Sequence, residues 1–315
     1  MVELKNKTVP IVFAVDNNYA PYLSVTIKSI LENSSKDRFY KFFVLNTGIG
    51  EEYKEKLLQS TDEKSSIEFI DVEKRLNAIS EKLPLRDYYT NTIYYRLFIP
   101  SLFPEYDKIL YLDSDIIVLK DICEMFDTDI TGKLVGAIRE EVMTTVKVFS
   151  DYSEECLDVP HEEYFNSGVL LINAKAFREK DVEGQFVSLL KKFKFVVAPD
   201  QDYLNVICNK NVYYFDLGWN KMPLKEVDFP VEQLKLVHYK LFYKPWFYKD
   251  VMYDEYFWKY AEKSPFYNEI VPIRERYGQA EIARDLIAYK NLMVTAKNFV
   301  LMPDNYKKSK YACAK

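Results

Sequence analysis

The sequence predicts an α/β fold: a mostly parallel sheet flanked by helices, continued by a helical C-terminal extension. Short apolar runs recur through the first 120 residues, as in strands buried on both faces. Stretches of helical periodicity separate them. That alternation builds parallel sheets, because each return to the same edge needs a crossover, usually a helix.

The elements follow in order. Val9 to Val15 is a continuous apolar run, and Asp16 ends it. Tyr19 to Leu31 carries apolar residues at 19, 23, 27, 30 and 31, a helical stripe stopped by Asn33-Ser34-Ser35. Phe39 to Leu45 reads as the second strand, Glu51 to Leu58 as a short helix and Ile67 to Val72 as the third strand. Asn91 to Phe103 looks helical until Pro100 interrupts it, and Lys108 to Leu112 is a short buried strand. The middle third is less regular. Leu134 to Ile138, Gly168 to Ile172, Val212 to Phe215 and Leu234 to His238 are strand-like; Gln185 to Phe193 and Gln201 to Asn209 read as helices. From Asp250 the pattern is helical to about Met302. The tail that follows carries Lys307, Lys308, Lys310 and Lys315. It offers a peripheral contact for anionic lipid, although a solvated, frayed end is the plainer expectation.

Composition excludes several classes. With 43 basic and 48 acidic side chains the net charge is −5, which argues against a nucleic-acid partner. Eight glycines leave no P-loop and no nucleophile elbow; Gly48 and Gly50 are followed by Tyr53, so no dinucleotide turn forms. Two histidines, His161 and His238, cannot build a His-rich zinc site. Cys123, Cys156, Cys208 and Cys313 are widely spaced, as expected of reduced thiols. Without a signal peptide or a membrane-length apolar run, a cytoplasmic protein is expected.

The sharpest feature is Ile109-Leu110-Tyr111-Leu112-Asp113-Ser114-Asp115. A buried strand ends and presents two carboxylates two residues apart, on one side of the extended chain. Open α/β sheets bind ligands at such carboxyl ends. Two converging carboxylates repel unless a cation joins them, and oxygen ligands suit magnesium or manganese. Two chemistries use the arrangement: a metal held against a diphosphate leaving group, or a nucleophilic Asp as in haloacid-dehalogenase-like phosphatases. The phosphatase also wants a later acidic pair after glycine, and no Gly-Asp or Asp-Asp occurs here.

Blocks around this pair resemble glycosyltransferase family 8, the retaining sugar transferases that include bacterial lipopolysaccharide galactosyl- and glucosyltransferases and glycogenin. They run in the family's order over about residues 8 to 250: Ile11 to Tyr19, Tyr95-Arg96-Leu97, Lys108 to Asp115, Tyr164 to Asn173, Pro199-Asp200-Gln201-Asp202, Leu217-Gly218-Trp219-Asn220, and His238-Tyr239 with Lys244-Pro245-Trp246. The resemblance implies a glycosyltransferase A-type, Rossmann-like domain over 1–250, followed by a helical extension over 251–315. It implies UDP-glucose or UDP-galactose as donor, and a glycan, glycolipid or glycoprotein acceptor.

It also implies roles. Asp113, Asp115 and His238 would hold the metal, manganese better than magnesium because an imidazole joins the carboxylates. Ala14, Asp16, Asn18 and Tyr19 would hold the uridine, with Asp16 accepting from a uracil N–H; alone, Asp16 reads better as a helix cap. Arg96, Ser114 and Asn166 would contact the donor, and Lys244 the diphosphate. Asp200 and Gln201 would hold the sugar and line the reacting face. Glu140 replaces an aspartate common in the family near the acceptor. Leu241 stands where the family commonly has glycine, and Lys240 offers a further charge.

The expected reaction is transfer of a hexose from a UDP-sugar to an acceptor hydroxyl with retention of configuration. Retention comes either by double displacement with Asp200 or Gln201 at the anomeric carbon or, the preferred reading because no poised nucleophile shows in the sequence, by front-face attack. A binding protein that kept the fold without turnover is the non-enzymatic alternative. Eleven aromatics between residues 239 and 260 read first as core against the C-terminal helices, with a sugar platform or membrane anchor as alternatives.

Overall fold

A computed structural model describes residues 7–74, 91–224, 228–239 and 241–312. Strand β1 (Thr8–Ala14) leads through helix α1 (Ala20–Glu32), β2 (Phe39–Asn46) and α2 (Glu51–Leu58) to β3 (Ser65–Asp71). A 3-10 turn over Asn91–Phe98 and the short α3 (Ile99–Leu102) precede β4 (Lys108–Leu112) and β5 (Ile116–Val118). Then come α4 (Cys123–Phe126), β6 (Val135–Arg139), α5 (Glu141–Thr145), α6 (Lys147–Cys156) and the long β7 (Phe165–Asn173). Helices α7 (Ala174–Glu179), α8 (Val182–Lys192) and α9 (Pro199–Cys208) lead to β8 (Val212–Tyr214) and β9 (Leu236–His238). The extension holds α10 (Asp254–Ala261), α11 (Tyr267–Arg276), α12 (Gln279–Leu301) and α13 (Tyr306–Ala312).

The main sheet has the order β3-β2-β1-β4-β7-β6-β8, and every pairing is parallel except those of β7. Its strands alternate between two cores. Val9, Ile11 and Phe13 face one, with α1; Val12, Phe43, Ile109 and Tyr111 face the other, with the middle helices. This double burial is why the sequence shows near-continuous apolar runs. Outside the main sheet, β5 pairs antiparallel with β9, setting Ile116 opposite His238.

Some expectations needed correction. Pro100 does not stop a helix; it sits in the first turn of α3, where its missing N–H costs nothing. Leu234 lies before β9. Helices α4, α5, α6 and α7 and strand β5 had no counterpart among the elements expected from sequence. All but α6 are six residues or fewer, too short to show a period, whereas α6 does carry a helical stripe, Phe149, Tyr152 and Cys156. The tail is not frayed as far as Ala312: α13 packs on α6, with Lys307 paired to Glu155 at 3.3 Å and Lys310 to Asp158 at 2.6 Å. Lys308 Nζ donates to the Met302 carbonyl at 2.5 Å. Lys240, Cys313 and Lys315 lie outside the described residues. The aromatic belt is largely core: Tyr239, Trp246, Tyr253, Phe257 and Tyr260 are buried, and Trp246 stacks on Tyr22 at 3.7 Å.

Candidate active site

The sheet's one reversed strand assembles the site. Parallel strands bring the ends of β1 and β4 to one edge, and the antiparallel β7 brings its beginning there as well. Asp16, Asp113 and the segment Asn166-Ser167-Gly168 therefore meet. The β5–β9 ladder adds Asp115 and His238, with the Tyr239 N–H donating to the Asp115 carbonyl. All thirteen sequence-predicted site residues line one cavity of about 380 Å³: Ala14, Asp16, Asn18, Tyr19, Arg96, Asp113, Ser114, Asp115, Asn166, Asp200, Gln201, His238 and Lys244.

Asp113, Asp115 and His238 offer ligand atoms within 4.8 Å of one another. His238 Nε2 lies 3.3 Å from Asp115 Oδ1 and 3.8 Å from Asp113 Oδ2. A relay of amides fixes this ring. Asn166 Nδ2 donates to Glu140, Asn220 Nδ2 donates to Asn166 Oδ1, and Asn220 Oδ1 lies 2.8 Å from His238 Nδ1. With Nδ1 as the donor, the Nε2 lone pair faces two carboxylates, an arrangement that calls for a cation. Asp115 Oδ1 is buried and accepts no well-formed hydrogen bond. Burial disfavours the Asp115 carboxylate, but the Lys244 ammonium outweighs it and holds its pKa well below the ordinary range. Gly168 leaves the room for this cluster. The residues fit a hard divalent ion.

Arg96 is the hub on the other side. Its Nη2 donates to Asp113 Oδ1 at 2.9 Å, its Nη1 to the Ser167 carbonyl at 2.6 Å, and its Nε lies 3.1 Å from Asp200 Oδ2. Arg96 is therefore a buried bridge between Asp113 and Asp200, not a surface ion pair. The Tyr111 hydroxyl gives Asp113 Oδ1 a second donor at 2.7 Å. Asp200 also accepts from Ser167 Oγ, and Gln201 Oε1 accepts from the Ser167 N–H at 2.8 Å. Burial raises the Asp200 carboxyl, against Arg96, and burial likewise raises Glu140.

Asp16 caps the turn that follows it, since its Oδ1 accepts from the Asn18 and Tyr19 N–H groups at 2.9 and 3.1 Å. Lys244 is buried, and its Nζ engages Asp115 and the Tyr239 carbonyl. Leu241 lines the cavity with φ +41°, the left-handed backbone that glycine adopts without strain. The loop thus keeps a glycine-like path with a leucine in it.

Residues 10–250 match the family model described as Glycosyl transferase family 8. The chain belongs to this family. It is 28% identical over 222 residues to general stress protein A of Bacillus subtilis, spanning 69% of this chain and 74% of that one. A lipopolysaccharide 1,2-glucosyltransferase of Escherichia coli is 25% identical over 292 residues, 85% of this chain and 83% of the relative. Among solved structures, the galactosyltransferase LgtC in complex with donor and acceptor sugar analogues superposes with a TM-score of 0.70 at 28% identity, covering 82% of this chain and 96% of LgtC. The bifunctional glycosyltransferase WbbM gives 0.75 at 27% identity, and the match covers 86% of this chain but only 52% of WbbM. The fold is the glycosyltransferase A type, and family 8 membership leaves no place for the phosphatase alternative.

Sequence reasoning assigned no role to Asn220, Ser167, Tyr111 or Tyr164. All four stand inside the family 8 blocks, so the signal was present. Tyr111 and Ser167 line the cavity and hold Asp113 and Asp200, while Asn220 and Tyr164 stand behind it against His238 and Gln201, contacts that spacing along the chain cannot show.

Proposed function

We propose that this family 8 enzyme transfers glucose or galactose from a UDP-sugar to an acceptor hydroxyl with retention, on a bacterial surface glycan or glycolipid. The observation that carries the reading is the Asp113–Asp115–His238 group beside Lys244, at the sheet edge that also holds Asp16. Asp113, Asp115 and His238 Nε2 are the residues that would hold manganese or magnesium, which when bound supplies positive charge against the departing diphosphate. Lys244 adds a second positive charge there, and Asp16 and Tyr19 orient the base. Asp200 and Gln201 hold the sugar. Arg96 and Ser167 tie down the Asp200 carboxylate, and Ser167 N–H holds the Gln201 oxygen. Neither is poised as a nucleophile, which supports front-face transfer. The acceptor oxygen bonds to the anomeric carbon as the bond to the diphosphate oxygen breaks, and the hydroxyl proton passes to the diphosphate.

We take 1–250 as the nucleotide-sugar-binding unit and 251–315 as its helical extension. The proposed location is cytoplasmic; no described helix is long and apolar enough to cross a membrane. Peripheral contact through the lysine-bearing tail is the weaker extension, because Lys307, Lys308 and Lys310 are already engaged. The test is UDP release from UDP-glucose and UDP-galactose with manganese. Release that stops with chelator, and in Asp115→Asn, is expected. Manganese-dependent UDP binding with no release from any UDP-sugar would make the protein a binder, and indifference to UDP would end the reading.

A further inference from the structure

A buried ion pair stands behind the metal group. Lys221 Nζ lies 2.6 Å from Glu141 Oε1, and the two side chains are 0% and 6% exposed. The ammonium also donates to the Met222 carbonyl at 3.0 Å, and Glu141 Oε2 accepts from the Met222 N–H at 3.0 Å. Glu141 opens α5, so the pair ties that helix to the chain at 221–222.

The same stretch of chain orients His238. A 3-10 turn over Leu217–Asn220 delivers Asn220, whose Oδ1 faces His238 Nδ1 at 2.8 Å. Lys221 then runs beside β9. Its N–H donates to the Leu236 carbonyl at 3.0 Å, and its carbonyl accepts from the His238 N–H at 2.9 Å. Lys221 is thus anchored to β9 through its backbone and to α5 through its ammonium. Glu140, next to Glu141, reaches the same place by another route: it accepts from Asn166, which accepts from Asn220. Adjacent glutamates therefore hold Asn220 from both sides, one through an amide and one through the Lys221 ammonium.

Stability alone does not call for such a pair. Taking two charges out of water costs about as much as their attraction returns, and apolar side chains of similar size often serve as well. A buried pair adds direction, because its charges and hydrogen bonds accept one arrangement where apolar groups can slide.

We propose, on the metal-binding reading of Asp113, Asp115 and His238, that Lys221 and Glu141 are positioning residues for the cation. They seat Asn220 so that the His238 ring turns Nε2 to the two carboxylates. Neither lines the cavity, so their effect on the ion passes through Asn220 and His238.

The experiment uses the full chain in four forms: wild type, Asn220→Ala, the pair Glu141→Gln with Lys221→Met, and all three substitutions together. The paired substitution removes both charges at once and keeps an amide oxygen for the Met222 N–H, so no lone charge stays buried. Where it does not fold, Glu141→Gln alone takes its place in the cycle. Electron paramagnetic resonance of free manganese, with UDP present, reads metal affinity without turnover, and each form's melting temperature is measured beside it. Asn220→Ala should weaken manganese by about tenfold or more, as for lost support around a metal ligand. The paired substitution should weaken it by about fivefold or more. Added to Asn220→Ala, it should cost less than about twofold further, because its route to the ion is already cut. Manganese affinity within about twofold of wild type after the charges are removed, whatever the melting temperature does, would overturn the proposal. So would losses that multiply in the combined variant. Wild type that binds no manganese is a different result: it removes the metal reading itself, and the positioning role with it.

Discussion

Gly168 and Asp113 stand so close that only hydrogen fits between them: a Cβ on Gly168 would lie 2.4 Å from Asp113 Oδ2. It would also lie 2.5 Å from His238 Cε1. Arg96 and Tyr111 hold the Asp113 carboxylate from its other oxygen, so it cannot easily swing away. Gly168→Ala should therefore push the metal group apart. Manganese binding with UDP present, measured by calorimetry, should weaken by about tenfold or more, as for lost support around metal ligands. Unchanged manganese affinity in a folded variant would mean that Asp113 and His238 do not share an ion.

The fold was legible where burial is simple. Residues 9–15, 39–45 and 108–112 run apolar because both faces of those strands are covered, and each lies within one residue of an observed strand at either end. The Asp113–Asp115 convergence was legible from two carboxylates closing a buried strand, although the chain bends at Ser114–Asp115 instead of staying extended and the β5–β9 pairing sets the second carboxylate. The reversal of β7 was not, since an apolar run carries no direction. The amide relay from Glu140 to His238 was also out of reach: it joins residues 140, 166, 220 and 238, and only the fold brings them together. Asp16 shows a further limit. Its capping bonds occupy Oδ1, which leaves Oδ2 for the proposed base contact, so the first does not decide the second.

That division of oxygens gives the next expectation. Asp16→Asn keeps an acceptor for the Asn18 and Tyr19 N–H groups but turns the other oxygen into a donor. Uracil N3–H then loses its acceptor, while cytosine N3 gains a donor. UDP should bind wild type more tightly than CDP, and the substitution should narrow or reverse that preference by about 1–3 kcal/mol. Competition binding with manganese measures it; equal wild-type affinity for the two nucleotides sinks the base assignment.

Asp202, two residues past Asp200, predicts a pH effect on stability. Burial pushes its carboxyl up to about 7, although the hydroxyls of Tyr164 and Tyr152 and the Ala198 N–H all donate to it. The folded state thus holds this proton more tightly than the unfolded chain. Its stabilising contribution is full below about pH 4, the unfolded aspartate range, and is lost as pH rises through about 7. Asp202→Asn removes that loss and keeps an acceptor for Ala198, while the tyrosine hydroxyls can turn to accept. The variant's melting temperature relative to wild type should rise by a few degrees from pH 5 to pH 8. A difference that is flat or falls over that range would mean that Asp202 is not held protonated.

The last expectation separates support of the leaving group from support of the sugar. Lys244 is buried and engages Asp115, one of the three proposed metal ligands, so its charge sits where a diphosphate would meet the ion. Phosphate charge is present in donor and product alike, so Lys244→Ala should weaken UDP itself, by about tenfold or more, and slow turnover together. Asp200 lies on the far side of Arg96, which bridges it to Asp113 of the metal group. Asp200→Asn keeps the shape, leaves Arg96 paired with Asp113, and removes the anionic acceptor for sugar hydroxyls. UDP affinity should stay within about twofold, while turnover of the full donor falls by about a hundredfold, the pattern of an interaction made mainly in the transition state. Calorimetry with UDP and manganese, set beside UDP release from the donor, reads both quantities for each variant. If Asp200→Asn weakens UDP as much as Lys244→Ala does, Arg96 transmits the loss to Asp113, and the two sides of the cavity do not divide the work.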